Sequence, residues 1–273
     1  MFCNGKTASR GRENCERRRA IIRDHRERWA ISSVGRATPL HGEGHRFESC
    51  IAHTMDPEIL YVDDDLLVIN KPAGVIVHPD KTHDYPALTE WLEKKYPGFH
   101  LVHRIDRETS GVLVVARTEK AFEFLKSQFQ NREIKKTYRA FVYGALKAER
   151  GVIDKPIGSA RGGKGPRSAH LPHGATRDAL TTYRVIQNGS DAAYVEVFPK
   201  TGRTHQIRVH FSAIQHPIIC DPLYAPGRPK LLGFERLALH ALSLTFTHPQ
   251  GREMTFEAPL PADFIAAEAR LRG

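Results

Sequence analysis

Residues 179–198, ALTTYRVIQNGSDAAYVEVF, decide the fold class. Ala179–Ile186 and Ala193–Phe198 are rich in Thr, Tyr, Val and Ile, which suit a pleated, half-buried surface, and no helix-length segment separates them. The same signature recurs at Thr137–Val142, Leu239–Thr247 and Glu253–Phe256. Upstream, EILYVDDDLLVINKPAGVIVHP (58–79) gives a strand around Ile59–Tyr61, a turn, and a second strand at Leu66–Ile69 before Lys71-Pro72 and Gly74. Val112–Ala116 adds an apolar strand. Helical periods are few. Ala87–Tyr96 places Leu88, Trp91 and Leu92 on one face and stops at Pro97-Gly98. Thr118 caps a helix carrying Phe122, Leu125 and Phe129, and two more helices start near Thr204 and Pro261. Strands with so few crossover helices predict an α+β fold with a mixed, mainly antiparallel central sheet and flanking helices.

The 273 residues are 40% hydrophobic and 26% charged with a formal net charge of +10, which describes a soluble globular chain of one or two domains. No window holds the roughly 18 apolar residues of a membrane span. Arg-rich residues 10–28 lack the apolar stretch of a secretory signal, so a cytoplasmic protein is predicted. Cysteines 3, 15, 50 and 220 show no CxxC pairing, so neither zinc nor disulfides are expected to organise the fold.

Charge is unevenly spread. Residues 1–54 hold 11 Lys and Arg against 6 Asp and Glu, so one fifth of the chain carries half of the net charge. This segment has three of the four cysteines and no helical or strand period, which reads as disordered or non-native sequence. Back-translation is more specific. Ile31–Ala37, ISSVGRA, can be encoded as ATT AGC TCA GTT GGT AGA GCN, the form of a tRNA D-arm. Gly44–Ser49, GHRFES, can be encoded with the TTCGA of a T-arm. Residues 1–54 are therefore expected to be a translated tRNA gene upstream of a start at Met55, with the alternative of a basic RNA-binding arm. The remaining residues, 55–273, are expected to form one compact domain, or two lobes sharing a sheet.

The densest polar constellation is HRIDRETSG, His103–Gly111, immediately before the apolar strand. One carboxylate, Asp106, lies between Arg104 and Arg107, whose charges favour its ionised form and suit a nucleophile or base; the alternative is a surface ion-pair cluster. The second constellation is FPKTGRTHQIRVHF, Phe198–Phe211, where Gly202 allows a turn and Thr204 can cap the helix. Arg208, between Ile207 and Val209, is expected to be a partly buried guanidinium that needs a planar carboxylate, and Asp106 is the candidate. His205 and His210, five apart with no Cys or acidic ligand near, read as satisfied polar histidines and not as a metal site. In KKTYRAFV, Lys135–Val142, Tyr138 is either an ordinary strand tyrosine or an aromatic platform for a base, flanked by Lys136 and Arg139 for phosphate. GSARGGK, Gly158–Lys164, is a near miss for a phosphate loop, because Gly165-Pro166 replace the required Ser or Thr and the helix. It reads as a flexible basic loop in which Arg161, Lys164 and Arg167 graze phosphates. Asp106 and Glu108, two residues apart, lack the opposed geometry of a glycosidase pair.

Taken in order, NKPAGVIVHP, HRIDRETSG, the Lys-x-Tyr of KTYRAFV, KTGRTHQIRVH followed by HPIICDPLY, and LALHA resemble the RluA family of RNA pseudouridine synthases over about Glu58–Pro261. The resemblance implies the pseudouridine synthase fold with its catalytic cleft. It also implies an isomerase that breaks the bond from ribose to uracil N1 and remakes it to C5. Asp106 is then the catalytic aspartate, Tyr138 stacks on the uracil and is the proposed base for the C5 proton, and Arg208 pairs with Asp106. Arg104 enters the stack that the uridine leaves. Arg104, Arg107, Lys136, Arg203, His205 and Gln206 are the expected RNA contacts. No cofactor or metal is expected, since the isomerisation needs no external electron or energy source. The expected partner is a tRNA stem-loop or 23S rRNA bound by a monomer; an RNA-binding or chaperone protein on the same scaffold is the alternative. Two departures stand out: Cys220, where a small residue such as Gly is common, and the basic loop from Arg161 to His173.

Overall fold

The computed structural model describes residues 56–79, 85, 87–160, 166–170 and 173–272. The expectation for residues 1–54 lies outside the described residues, as do Arg161 and Lys164. Among the described residues thirteen strands and four helices follow in order. They are β1 (Glu58–Val62), β2 (Leu66–Lys71), α1 (Leu88–Lys95), β3 (His100–Leu101), β4 (Ser110–Ala116), α2 (Glu119–Asn131), β5 (Lys135–Tyr143) and β6 (Arg150–Asp154). Then come β7 (Ile157–Ser159), β8 (Arg167–Ser168), β9 (His173–Arg177), β10 (Leu180–Asn188), β11 (Ala192–Pro199), α3 (Gln206–Ala213), β12 (Leu239–Thr247), β13 (Glu253–Glu257) and α4 (Ala262–Arg272). Ten strands form one sheet in the order β1-β2-β4-β12-β5-β11-β10-β6, with β13 beside β12 and β3 beside β4. Among the described strands only β4 and β12 pair in parallel, so the sheet is mixed and mainly antiparallel, as predicted.

Strands β2 and β4 are continuous apolar runs because both faces of the sheet are covered here. Alternation sends Val68, Val112 and Val114 to one face, against Leu125 of α2. Leu67, Ile69, Leu113 and Val115 face the other way, against Leu88 and Leu92 of α1. The helix at α2 begins where Thr118 was expected to cap it: its hydroxyl accepts from the Ala121 N–H at 3.2 Å. Where the sheet turns parallel, a Cβ at Gly111 would lie 2.1 Å from the Ala241 carbonyl oxygen, so only glycine lets β4 meet β12. Among the described residues no helix is long and apolar enough to cross a membrane.

Two expectations are corrected. Gly158–Lys164 with Arg167 was read as a flexible basic loop, but of its described residues Gly158, Ser159 and Arg167 fall in a separate three-stranded sheet, β8-β7-β9. Short strands with Gly, Ser and Arg carry too little apolar alternation to be read from sequence. Thr204 does not cap α3. His205 precedes the helix in a left-handed conformation (φ 55°) without a side-chain cap.

Candidate active site

The loop between β3 and β4 carries Asp106 and is fastened from below. Lys71, wholly buried at the end of β2, donates to the carbonyls of Pro72 (2.7 Å), Val75 (2.8 Å) and Arg107 (3.1 Å). Burial pulls this amine down to about 7, while Glu108 and Asp106 oppose the shift. Three carbonyls match the three N–H groups of an ammonium, which favours the charged form. The Gly74 N–H also reaches the Arg107 carbonyl at 2.9 Å, and the Thr109 N–H reaches that of Asp106 at 3.1 Å. At the loop's start, His103 Nε2 accepts the Val114 N–H at 3.0 Å and its ring stacks on Phe129 at 4.7 Å. At its end, Ser110 Oγ meets His240 Nδ1 at 2.9 Å.

Arg208, on α3 and 4% exposed, reaches this loop. Its Nη1 donates to Asp106 Oδ2 at 3.2 Å. Its bidentate partner is a carboxylate the sequence reading missed: Nε donates to Asp221 Oδ2 and Nη2 to Asp221 Oδ1, both at 2.8 Å. Asp221 is wholly buried, and its Oδ1 also accepts the N–H groups of Leu223 (2.9 Å) and Tyr224 (3.1 Å). The expected Asp106–Arg208 contact exists, but Asp106 is the weaker, single-bonded partner. Cys220 explains how Asp221 gets there. Its left-handed backbone (φ 56°) turns the chain, which is why a glycine suits this position. Burial works against the Arg208 charge, yet the bonds and charge of Asp221, then of Asp106, outweigh it and push the guanidinium pKa up.

A cavity of about 470 Å³ opens over this pair, lined by Asp106, Tyr138, Arg208 and Leu239 among others. That volume accommodates a nucleoside-sized group. Half-buried Tyr138, on β5, packs against core residues on both sides. Burial, then the charge of Asp106, raises its pKa, so the phenol enters the reaction protonated.

Residues 65–213 match the model of the RNA pseudouridylate synthase family, more than half of the chain. A Bacillus subtilis protein described as the uncharacterized RNA pseudouridine synthase YlyB is 39% identical over 81% of this chain and 75% of its own. The dual-specificity RNA pseudouridine synthase RluA of Escherichia coli is 40% identical over 76% of this chain and 93% of its own. The chain belongs to the RluA family of RNA pseudouridine synthases. The solved structure of human RNA pseudouridylate synthase domain containing 1 agrees in fold, with a TM-score of 0.66 at 29% identity over 77% of this chain and 86% of its own.

The synthase distributes the remaining candidates unevenly around its cavity. Arg104 is exposed and lines the cavity. Arg107 is not among its lining residues. Its guanidinium pairs with Glu108 at 2.6 Å and covers the Tyr85 ring at 4.0 Å, so it does not bracket Asp106 as expected. Lys136 lines the cavity, and burial lowers its pKa to about 8. Arg139 does not flank a phosphate site; it pairs with Glu196 at 3.0 Å. Gln206 has every amide position occupied, accepting from Thr201 Oγ1 and the Arg203 N–H and donating to Leu180 O and Thr181 Oγ1. It fastens the 201–206 turn, which leaves no amide position for RNA. Arg203 donates through Nε to the Asp178 carbonyl at 3.1 Å.

His205 proves closer to the chemistry than its reading as a satisfied histidine implied. Its Nε2 lies 3.9 Å from Asp106 Oδ1 and its Nδ1 meets the Tyr224 hydroxyl at 3.1 Å. Burial lowers its pKa, with Asp106 opposing, so the ring is neutral at physiological pH. Tyr224, also missed from sequence, accepts the Arg167 N–H at 3.2 Å, which ties the small sheet to the synthase cavity. His210 is satisfied as expected, by Thr181 Oγ1 (2.9 Å) and the Lys155 carbonyl (3.0 Å).

The histidines that brace the Asp106 loop predict acid sensitivity. Burial lowers His103 to about 3, helped by Lys136, and lowers His240 to about 4. In the unfolded chain both rings take up protons near pH 6.5. Below that pH the unfolded state holds more protons than the folded one, so stability falls as pH falls, by up to about 1.4 kcal/mol per unit for each ring. The loss runs down to about pH 4 for His240 and about 3 for His103. Urea unfolding at pH 6.5, 5.5 and 4.5 should show this decline, and His103→Gln should make it shallower. An equal slope in the variant would contradict the assignment.

Proposed function

We propose that this chain isomerises uridine in a stem-loop of tRNA or 23S rRNA, with Asp106 as the catalytic carboxylate, Tyr138 as the platform under the uracil and Arg208 as the group that orients Asp106. The observation that carries the reading is the Arg208–Asp106 contact at the base of a cavity walled by Tyr138. The N1–C1′ bond breaks, the uracil turns without leaving, C5 bonds to C1′, and the C5 proton passes to a base while N1 gains one. A partly enclosed site that holds both fragments supplies the positioning this exchange needs. Asp106 serves as nucleophile at C1′, as nucleophile at the uracil ring or as base for the 2′ proton, and each role uses its negative charge. The charge of Asp106 disfavours ionised Tyr138, so Tyr138 can take the C5 proton only once that charge has been spent and its own phenol proton has passed to an acceptor, for which N1 of the detached uracil serves.

Extruding a stacked uridine costs a few kcal/mol, and Arg104, exposed at the cavity, is placed to fill the gap. The target assignment rests on the relatives: one is named for the large ribosomal subunit and another as dual-specific. The protein works as a monomer in the cytoplasm, where both RNA classes reside. A transcript labelled in its uracil tests the reading. Pseudouridine is the expected product; binding without conversion supports a chaperone, and free uracil a glycosidase.

A further inference from the structure

The catalytic cavity carries more positive charge than a neutral uracil requires. Besides Arg208, it is lined by Arg104, Arg132, Lys136, Lys200 and Arg203, against the single carboxylate of Asp106. Among the described residues none of these five has a carboxylate partner. Lys136 Nζ reaches only the Thr201 carbonyl, at 3.3 Å, and Arg203 uses only its Nε. A charge this unbalanced in a partly enclosed site calls for an anion from outside the protein.

Arg132 is the informative member. It ends α2 with a left-handed backbone (φ 62°, ψ 30°), its N–H closing the helix on the Gln128 and Phe129 carbonyls. Glycine adopts this conformation freely and is the usual residue there, whereas a long side chain is strained in it. An exposed arginine at this point offers the helix only the weak attraction of its charge for the C-terminal dipole; among the described residues its hydrogen bonds are through the backbone alone, and it lines the cavity. Lys136 follows four residues later on β5 and shares a strand face with Tyr138, about 7 Å further along. From Tyr138 outward the cavity wall therefore presents Lys136 and then Arg132, with the Lys200–Arg203 turn beside Lys136.

Resting on the reading of Tyr138 as the platform under the uracil, we infer that Arg132, Lys136 and Arg203 form a clamp for the RNA phosphates flanking the extruded uridine. Lys136 takes the phosphate nearest the stacked base and Arg132 a neighbouring one along the strand. The strained backbone at residue 132 is kept because the clamp needs a cation there.

The test is RNA affinity as a function of salt, measured with unfractionated tRNA and a synthetic uridine-containing hairpin. Arg132→Gly removes the cation and relieves the strain. It should weaken binding about five- to tenfold at 0.1 M salt and flatten the log–log salt slope by about 0.7–0.9, one phosphate contact. Its melting temperature should match or exceed that of the unaltered protein. Arg132→Asn, neutral and tolerant of the left-handed region, should show the same loss. Lys120→Ala, an exposed cation on α2 that does not line the cavity, should change neither quantity. Equal affinity and slope in both Arg132 variants overturn the clamp. A parent protein that makes no pseudouridine overturns the functional reading instead, even if the Arg132 variants still bind RNA less well.

Discussion

Replacing Asp106 by asparagine is expected to abolish pseudouridine formation, with turnover falling at least about ten-thousandfold, while the fold and RNA binding survive. The amide fills the same space and its carbonyl oxygen still accepts from Arg208 Nη1. What it lacks is the negative charge that each of the three candidate roles uses. Removing one partner of a buried ion pair ordinarily destabilises a protein by several kcal/mol, because the other charge is stranded. Here Arg208 is not stranded, since two 2.8 Å bonds to Asp221 remain. The unfolding free energy should therefore change by less than about 1 kcal/mol, the worth of one hydrogen bond. Affinity for RNA should hold or rise, because the substitution removes the only carboxylate among the described residues that line the cavity. Single-turnover assays on labelled transcript, urea unfolding and filter binding measure these three quantities. Turnover within a hundredfold of the parent would remove Asp106 from its assigned role.

The sheet was legible from sequence where strands are long and alternate. Residues 180–188 and 242–247 have side chains that switch between a more covered and a more open face, so period and burial agree there, whereas β11 is buried on both faces and was legible by its β-branched and aromatic content. β2 and β4 were legible for the opposite reason, as apolar runs covered on both faces. What escaped were pieces with no period to read, such as Arg167–Ser168 and His173–Arg177, held by pairing to β7. The site shows the same division. Arg208 stood out because a cation interrupts an apolar stretch and Asp106 because it is one carboxylate between two arginines, whereas Tyr138 took its role from the family resemblance. Lys71, Asp221 and Tyr224 did not, because their importance comes from what meets them in space. Asp221 is a lone acid in a turn, and only the left-handed Cys220 before it aims its carboxylate at a helix 13 residues upstream. The spacing of charges also misled. Arg104 and Arg107 flank Asp106 in sequence, yet the loop sends one to the cavity and the other to Tyr85.

Asp221 gives the second large effect, and here stability and activity should fall together. Arg208 is 4% exposed and Asp221 wholly buried, so the guanidinium depends on this carboxylate for most of its charge compensation. In Asp221→Asn the side chain keeps one acceptor and presents an N–H₂ to N–H donors that cannot accept it. The loss should be about 3–5 kcal/mol, as for other broken buried pairs. Arg208 then has a single carboxylate left, Asp106, and the two will draw together. A displacement of about 1 Å at Asp106 suffices to lower turnover roughly a hundredfold. The stability and activity losses separate in the double variant Arg208→Met, Asp221→Leu. Exchanging both charges for apolar groups removes the stranded ion, so stability should recover by at least about 2 kcal/mol relative to Asp221→Asn. Turnover should not recover, because nothing then orients Asp106. Recovery of turnover along with stability would mean that the Arg208–Asp221 pair only holds the fold together; wild-type stability in Asp221→Asn would mean that Asp106 alone satisfies the guanidinium.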